Sequence, residues 1–315
     1  MNTLPVEPAH RLAAQPEAQR WLVTDLWSEG AVGIVGGEPK CCKSFLALEL
    51  AVAVASGRPA LRRFAVTSPG RVLLYAAEDA HHIVRARLEG ICVAVACELA
   101  AIDVQVITAP TLRLDLDRDR ERLERTVEAL RPRLLILDPF VRLHRIDENS
   151  SGEVAPLLAY LRELQRRHAL AVLLVHHARK SSGHVRAGQA LRGSSEFHAW
   201  GDSNLYLRRT LTGHLMLSVE HRAAASMPAL NLELAHRGAA LALEVRDAPT
   251  SEVPPPTSVD DRILNALAET DRPVQAAELR TRCSVRKATF YARLLALTRS
   301  GRLVRSPEGY RLATT

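Results

Sequence analysis

The sequence predicts an α/β protein: a mostly parallel sheet with helices on both faces, an antiparallel extension, and a small C-terminal domain. Three observations predict it. Apolar runs without alternation recur between stretches of helical periodicity, as strands buried on both faces require. Four of those runs close on polar residues, namely Gly36-Gly37, Glu78-Asp79, Asp138 and His176-His177. In open parallel sheets ligands sit at such carboxyl ends, and chance would not place four polar sites on one rim. Third, the composition changes at 249–258, where Pro254-Pro255-Pro256 marks a stiff linker. The expected division is 1–248, linker 249–258, and 259–315.

Residues 1–30 read as a lead-in, with Trp21-Leu22-Val23 and Leu26-Trp27 packing on the core edge or on a neighbouring subunit. A strand at 31–35 precedes a helix at 45–55, which Gly57-Arg58-Pro59 ends. A buried strand at 71–76 is followed by a helix at about 80–97 whose apolar face is Ile83, Leu88 and Ile91. Segment 104–108 is a short strand, 116–130 an amphipathic helix, and 133–138 an apolar strand closing on a carboxylate. The polar loop 147–151 leads into a helix at 152–168 with Leu157, Leu158, Leu161 and Leu164 at helical spacing. A last buried strand spans 169–175. Residues 179–189, rich in Gly, Ser, Lys and Arg, read as a mobile basic loop. Short strands at 205–208, 215–220, 229–234 and 241–245 read as the antiparallel extension.

The tail has the pattern of a winged helix: helices at 259–268, 276–282 and 285–299, the last capped by Ser284, then strands at 301–305 and 310–312. Arg286, Lys287, Thr289, Tyr291 and Arg293 would lie on or near the exposed face of the third helix, where a DNA-reading helix carries its contacts. From 257 to 315 there are eleven Arg and Lys against six Asp and Glu, so most of the chain's net charge of +7 sits there. A polyanion partner follows. Such small domains also bind proteins, and a basic helix face is often simply solvated.

The stretch Gly36-Gly37-Glu38-Pro39-Lys40-Cys41-Cys42-Lys43-Ser44 joins the first buried strand to its helix. Strand, Gly-rich turn, Lys-Ser and helix make a phosphate-binding loop: backbone N–H groups and a helix N-terminus converge on phosphate. Gly37 to Phe45 are the candidate nucleotide contacts: Gly37, Glu38, Pro39, Lys40, Cys41, Cys42, Lys43, Ser44 and Phe45. Lys43 would reach the β- and γ-phosphates, and Ser44 would bind Mg²⁺. Cys42 stands where the motif has its second Gly. Either nucleotide binding is weakened, or the loop tolerates a small side chain. A chance Gly/Lys turn before a helix is the bland alternative, and the downstream residues argue against it. Asp138, after an apolar strand, fits a Walker B acid that holds Mg²⁺ opposite Ser44. Pro139 rather than Glu follows it, so the base comes from elsewhere: Glu78, with Asp79 the alternative. Of His176 and His177, adjacent on a strand, one faces the γ-phosphate and the other packs beneath the sheet. His81 and His82 start a helix and face solvent. Vicinal Cys41 and Cys42 suggest a redox switch, but proximity alone does not make a poised thiol.

These motifs, with His176-His177-Ala178-Arg179-Lys180 and Leu191-Arg192-Gly193-Ser194-Ser195 in that order, resemble the RecA-like AAA family of P-loop ATPases. Among them the chain looks most like plasmid hexameric replicative helicases of the RepA type, over about 21–244. The resemblance implies a RecA-like fold, ATP and Mg²⁺ as ligands, and a homo-oligomer, a hexamer for the helicases. It makes Glu78 the catalytic base, Asp138 the Walker B acid and His177 a γ-phosphate sensor. The family's arginine finger has Arg192, Arg208 and Arg209 as candidates. The winged-helix tail lies outside the helicase core and points to a DNA-tethered ATPase.

Bulk composition narrows the alternatives. The chain has 315 residues, 47% hydrophobic and 24% charged, enough for one large and one small domain. Aromatics are 4%, which argues against a surface built on base stacking. No run approaches a membrane span of about 18 apolar residues, and 1–20 has no apolar signal core. Five cysteines without zinc spacing fit a reducing cytosol, so a cytoplasmic protein without a membrane partner is expected. The function expected is an ATP-hydrolysing protein that acts on DNA through the winged helix and the basic loop. The main rival is a non-hydrolysing, nucleotide-sensing DNA-binding regulator, and the second is a scaffold whose tail binds protein.

Overall fold

The computed structural model describes residues 4–12, 20–177, 196–210, 213–237, 240–246, 259–268, 270, 273–283 and 287–313. The chain divides into two compact units, Met1–Ala248 and Pro249–Thr315. Linker 249–258, loop 179–189, Arg192 and Ser284 lie outside the described residues.

The first unit opens with the hairpin β1 (Trp21–Val23) and β2 (Trp27–Ser28). Then come β3 (Val32–Gly37), α1 (Lys43–Ser56), β4 (Val72–Ala76), α2 (His81–Ala94) and β5 (Val104–Val106). They continue with α3 (Asp117–Leu130), β6 (Leu134–Asp138), α4 (Ser151–His168), β7 (Ala171–His177) and the short α5 (Glu196–Trp200). The unit ends in β8 (Ser203–Arg209), β9 (Leu215–His221), β10 (Leu230–Arg237) and β11 (Ala240–Arg246).

Nine of these strands form one sheet in the order β11-β10-β9-β8-β3-β7-β6-β4-β5. From β8 to β5 every pairing is parallel; from β8 to β11 every pairing is antiparallel. The expectation that 205–208 begins the antiparallel extension is therefore corrected, because β8 pairs parallel to β3 and belongs to the central sheet. Its apolar residues suit either direction, and only its partner decides. Contact between these two strands is close: a Cβ on Gly33 would sit 1.7 Å from the Ser203 carbonyl oxygen, so only glycine fits.

Alternate residues of each parallel strand face opposite cores, which is why the strands read as unbroken apolar runs. Val35, Leu74, Ile136 and Leu173 face α1 and α2; Ile34, Tyr75, Leu137 and Leu174 face α3 and α4. Each fully buried aliphatic side chain contributes about 1.5–3 kcal/mol. Leu22, Val23, Leu26 and Trp27 lie in the first core, so the lead-in packs on its own unit. On α2 the buried residues are Val84, Leu88, Ile91 and Cys92. Ile83 is 37% exposed, a correction to the predicted apolar face: the buried stripe runs one residue later.

The second unit holds α6 (Val259–Ala268), α7 (Ala276–Cys283), α8 (Lys287–Arg299) and the hairpin β12 (Leu303–Ser306) and β13 (Gly309–Leu312). Val274 bridges Tyr310, adding a third extended segment to that hairpin. Phe290, Leu294 and Leu297 face inward with Ile263, Leu279 and Leu303. Arg293, expected to be available on the exposed face, instead makes a two-pronged ion pair with Asp260. Among the described residues no helix is long and apolar enough to cross a membrane, and all five cysteines are free.

Candidate functional site

Strand β3 delivers the Gly-rich loop to the carboxyl edge of the sheet, and α1 starts at Lys43. Gly37 is obligatory here: a Cβ would lie 2.3 Å from the Leu207 carbonyl oxygen on β8. Cys42, the residue in place of the motif glycine, has φ 62° and ψ 27°. A side chain in that left-handed region costs about 1–2 kcal/mol. The glycine preference at this position is thus a matter of backbone conformation as well as of room. Sequence spacing gave only the second reason.

Four neighbouring strand ends then supply the chemistry. One pocket of about 430 Å³ is lined by Lys40, Cys41, Cys42, Lys43, Ser44 and Phe45, together with Glu78, Asp79, Asp138 and His177. Gly37, Glu38 and Pro39 shape the loop behind it. Lys43 is buried and its Nζ donates to the Glu38 carbonyl oxygen at 2.7 Å. Burial lowers its pKa, opposed by Cys41, Asp138 and Glu78. Asp138 is also buried, which pushes its carboxyl up to about 6; Asp79 and Glu78 add to this, while a hydrogen bond from Ser44 and the charge of Lys43 oppose it. Ser44 and Asp138 are therefore within hydrogen-bond reach of each other.

Those two oxygens suit Mg²⁺, which keeps most of its waters and takes one or two carboxylates together with substrate phosphate. A carboxylate held above its usual range for want of a cation fits that purpose. Among the described residues no group of three or more His, Cys, Asp and Glu is arranged to hold a metal by itself.

His177 lines the pocket, while His176 points to the other face. There His176 is buried, with its ring 4.2 Å from Phe197, and burial lowers its pKa to about 4. Both cysteine thiols are pushed up by burial, and Cys41 Sγ donates to the Glu38 carbonyl oxygen at 2.8 Å. They are protonated thiols, not poised ones.

Several partners were not legible beforehand. Arg142, on the turn after β6, donates from Nε to Glu78 Oε1 at 2.8 Å. Arg87 on α2 pairs with Asp79 and lines the same pocket. Leu234 and Leu241 close it from the β10–β11 hairpin. Of the arginine-finger candidates, Arg209 turns to its own loop, with Nη2 3.4 Å from the Lys40 carbonyl oxygen, and Arg208 contacts Met216. A signal existed only for Arg87, which lies two helical turns beyond Asp79 on a face that must return to the strand end.

A sheet with its phosphate loop, Walker B acid and strand-end glutamate on one rim defines a RecA-like P-loop fold. Residues 2–183, more than half of the chain, match the AAA domain family, and the chain belongs to that family. In three dimensions it is similar to the ATPase domain of a helicase, with a TM-score of 0.51 and 13% identity over 65% of this chain and 81% of that one. It is also similar to the RadB recombinase, with a TM-score of 0.50 and 17% identity over 70% of this chain and 92% of that one.

Proposed function

We propose that the chain is a DNA-acting ATPase of the RepA helicase type that binds Mg²⁺ and ATP at this rim and hydrolyses the γ-phosphate. One observation carries the reading: Lys43, Ser44, Glu78, Asp138 and His177 come from four adjacent strand ends to line a single pocket. Mg²⁺ held by Ser44 and Asp138 would neutralise charge on the β- and γ-phosphates. Lys43 exchanges the Glu38 carbonyl for phosphate oxygen and stabilises charge as the leaving oxygen develops it. Glu78 exchanges Arg142 for a water and takes that water's proton. His177 donates to the γ-phosphate and reports its presence to the segment that follows β7. An arginine from a neighbouring copy, with Arg192 the candidate, completes the charge stabilisation in a homo-oligomer.

DNA contact is assigned to the C-terminal winged helix and the basic loop. The excess of Arg and Lys in the tail supports it, as does a recombinase among the structures of similar fold. With Arg293 held by Asp260, the exposed contacts on α8 and the hairpin are Tyr291, Arg299, Arg302 and Arg311. Deleting 257–315 is expected to weaken DNA binding and flatten its salt dependence; unaltered affinity and slope would remove the tail from the assignment.

The left-handed Cys42 favours a second reading, a nucleotide-sensing DNA-binding regulator that does not hydrolyse ATP. Mg²⁺-dependent ATP hydrolysis, with and without single-stranded DNA, separates the two when Cys42→Gly and Lys43→Ala are run alongside. Turnover that vanishes in Lys43→Ala supports the ATPase. Turnover that appears only in Cys42→Gly supports the regulator.

A further inference from the structure

Helix α1 is apolar along most of its length, yet Glu49 in its middle is only 1% exposed. A buried carboxylate must find partners to offset its lost hydration. Glu49 has two. The Leu243 N–H donates to its Oε1 at 2.9 Å, and Arg62 Nη1 lies 3.6 Å from the same oxygen. Leu243 is on β11, which ends the sheet order and has a strand on one side only. Glu49 gives this buried edge N–H the acceptor that a further strand would have given.

The hairpin needs such a fastening. β10 pairs with β11 at seven positions but with β9 at three, from Leu230 to Leu232. Beyond Leu232 it leaves the sheet, and Leu234 and Leu241 reach the pocket beside the phosphate loop. Leu241 then continues along α2, against Gly90, into an apolar groove of about 520 Å³. Groove and pocket share Phe45, Arg87 and Leu241, so they form one cleft with a charged end and an apolar end.

We propose that Glu49 is a positioning residue for nucleotide: it clasps the β10–β11 hairpin to the P-loop helix and so holds up the nucleoside side of the cleft. This rests on the nucleotide-binding reading above. The phosphate end is built by β3 and α1 themselves and does not need the clasp. The base end has the hairpin as one of its walls and does.

The test compares wild-type full-length protein with Glu49→Met and Glu49→Gln, titrated with Mg²⁺–ATP and with Mg²⁺–tripolyphosphate. Met keeps the volume and removes the acceptor, a change that buried ion pairs often tolerate. Gln keeps an acceptor for the Leu243 N–H. The ATP Kd is expected to rise about tenfold in Glu49→Met and to return to within about threefold of wild type in Glu49→Gln. Tripolyphosphate should bind all three proteins within about twofold. An equal loss of both ligands in Glu49→Met would make the residue a mere support of the fold and overturn the proposal. Unchanged ATP affinity in Glu49→Met, or a Gln variant as impaired as Met, would overturn it too. Wild-type protein that binds neither ligand would overturn the nucleotide reading itself and this inference with it, a result distinct from the other three.

Discussion

At the amino ends of β3 and β8, Asp202 accepts two bonds from Arg162, lies 3.2 Å from Arg222 and takes the Val32 N–H at 3.3 Å. Beside it the Ser203 hydroxyl meets the Ser28 N–H and His221 Nδ1, each at 3.1 Å, and His221 Nε2 reaches the Asp25 carbonyl oxygen. At the carboxyl ends of the same sheet, buried Lys43 has turned to a loop carbonyl and Asp138 is held far above its usual range. Behind them, neither ring nitrogen of His176 has a hydrogen-bond partner among the described residues. Both rims are polar, but the first is closed upon itself and the second is not. Polar clusters whose bonds are met by the chain organise a fold; those left short, with shifted ionisation, are where ligands complete the structure.

Four substitutions sharpen or break that comparison. The largest effect is expected for Lys43→Ala, a loss of ATP turnover of about 10³-fold with the melting temperature nearly unchanged. Glu78→Gln follows, with turnover down about 10²-fold and Mg²⁺–ATP binding retained by equilibrium titration; unchanged turnover would remove Glu78 from its role. At the closed rim, Asp202→Asn should lower unfolding free energy by about 2 kcal/mol in denaturant titration and leave turnover per folded molecule intact. Loss of turnover there without loss of stability would break the comparison. Cys42→Gly relieves a strain that the free loop already carries, so it should raise stability by about 0.5–1 kcal/mol rather than change the fold.

A pH effect is expected to be smaller still. Burial raises the Glu49 carboxyl from its ordinary value to about 7, against the charge of Arg62 and the Leu243 N–H, with Glu244 adding to the rise. The folded protein therefore holds this proton more tightly than the unfolded chain between about pH 4.5 and 7. Stability contributed by protonation is present at the acid end and is lost as pH rises through about 7. Melting curves of wild type and Glu49→Gln should diverge in slope across that window and run parallel above it.

Much of the carboxyl rim was legible because it is local. A strand closing on Asp138, or a Gly-rich turn before Lys43-Ser44, needs no knowledge of its neighbours. What the sequence hid is what depends on distant pairing. β8 looks like any apolar strand, and its parallel direction comes from lying against β3. Glu49, a charge in a helix, reads as a solvent-facing position until the hairpin is folded over it. Arg142 and Asp202 are ordinary loop charges in one dimension; their partners, Glu78 and Arg162, lie 64 and 40 residues away. Arg293 misled for the same reason, since Asp260 is 33 residues earlier.

The register of the central strand also has a consequence during synthesis. β3 is among the first segments made, yet its two neighbours begin at Val172 and Ser203, roughly 140 and 170 residues later. At about 5–20 residues per second a ribosome needs on the order of ten to thirty seconds to cover that distance. Throughout that interval Val32, Ile34 and Val35 have no strand to lie against, and the apolar helix behind them has only part of its sheet. The segment that carries the phosphate loop is thus the one that waits longest on the growing chain, and the one most in need of a chaperone's cover.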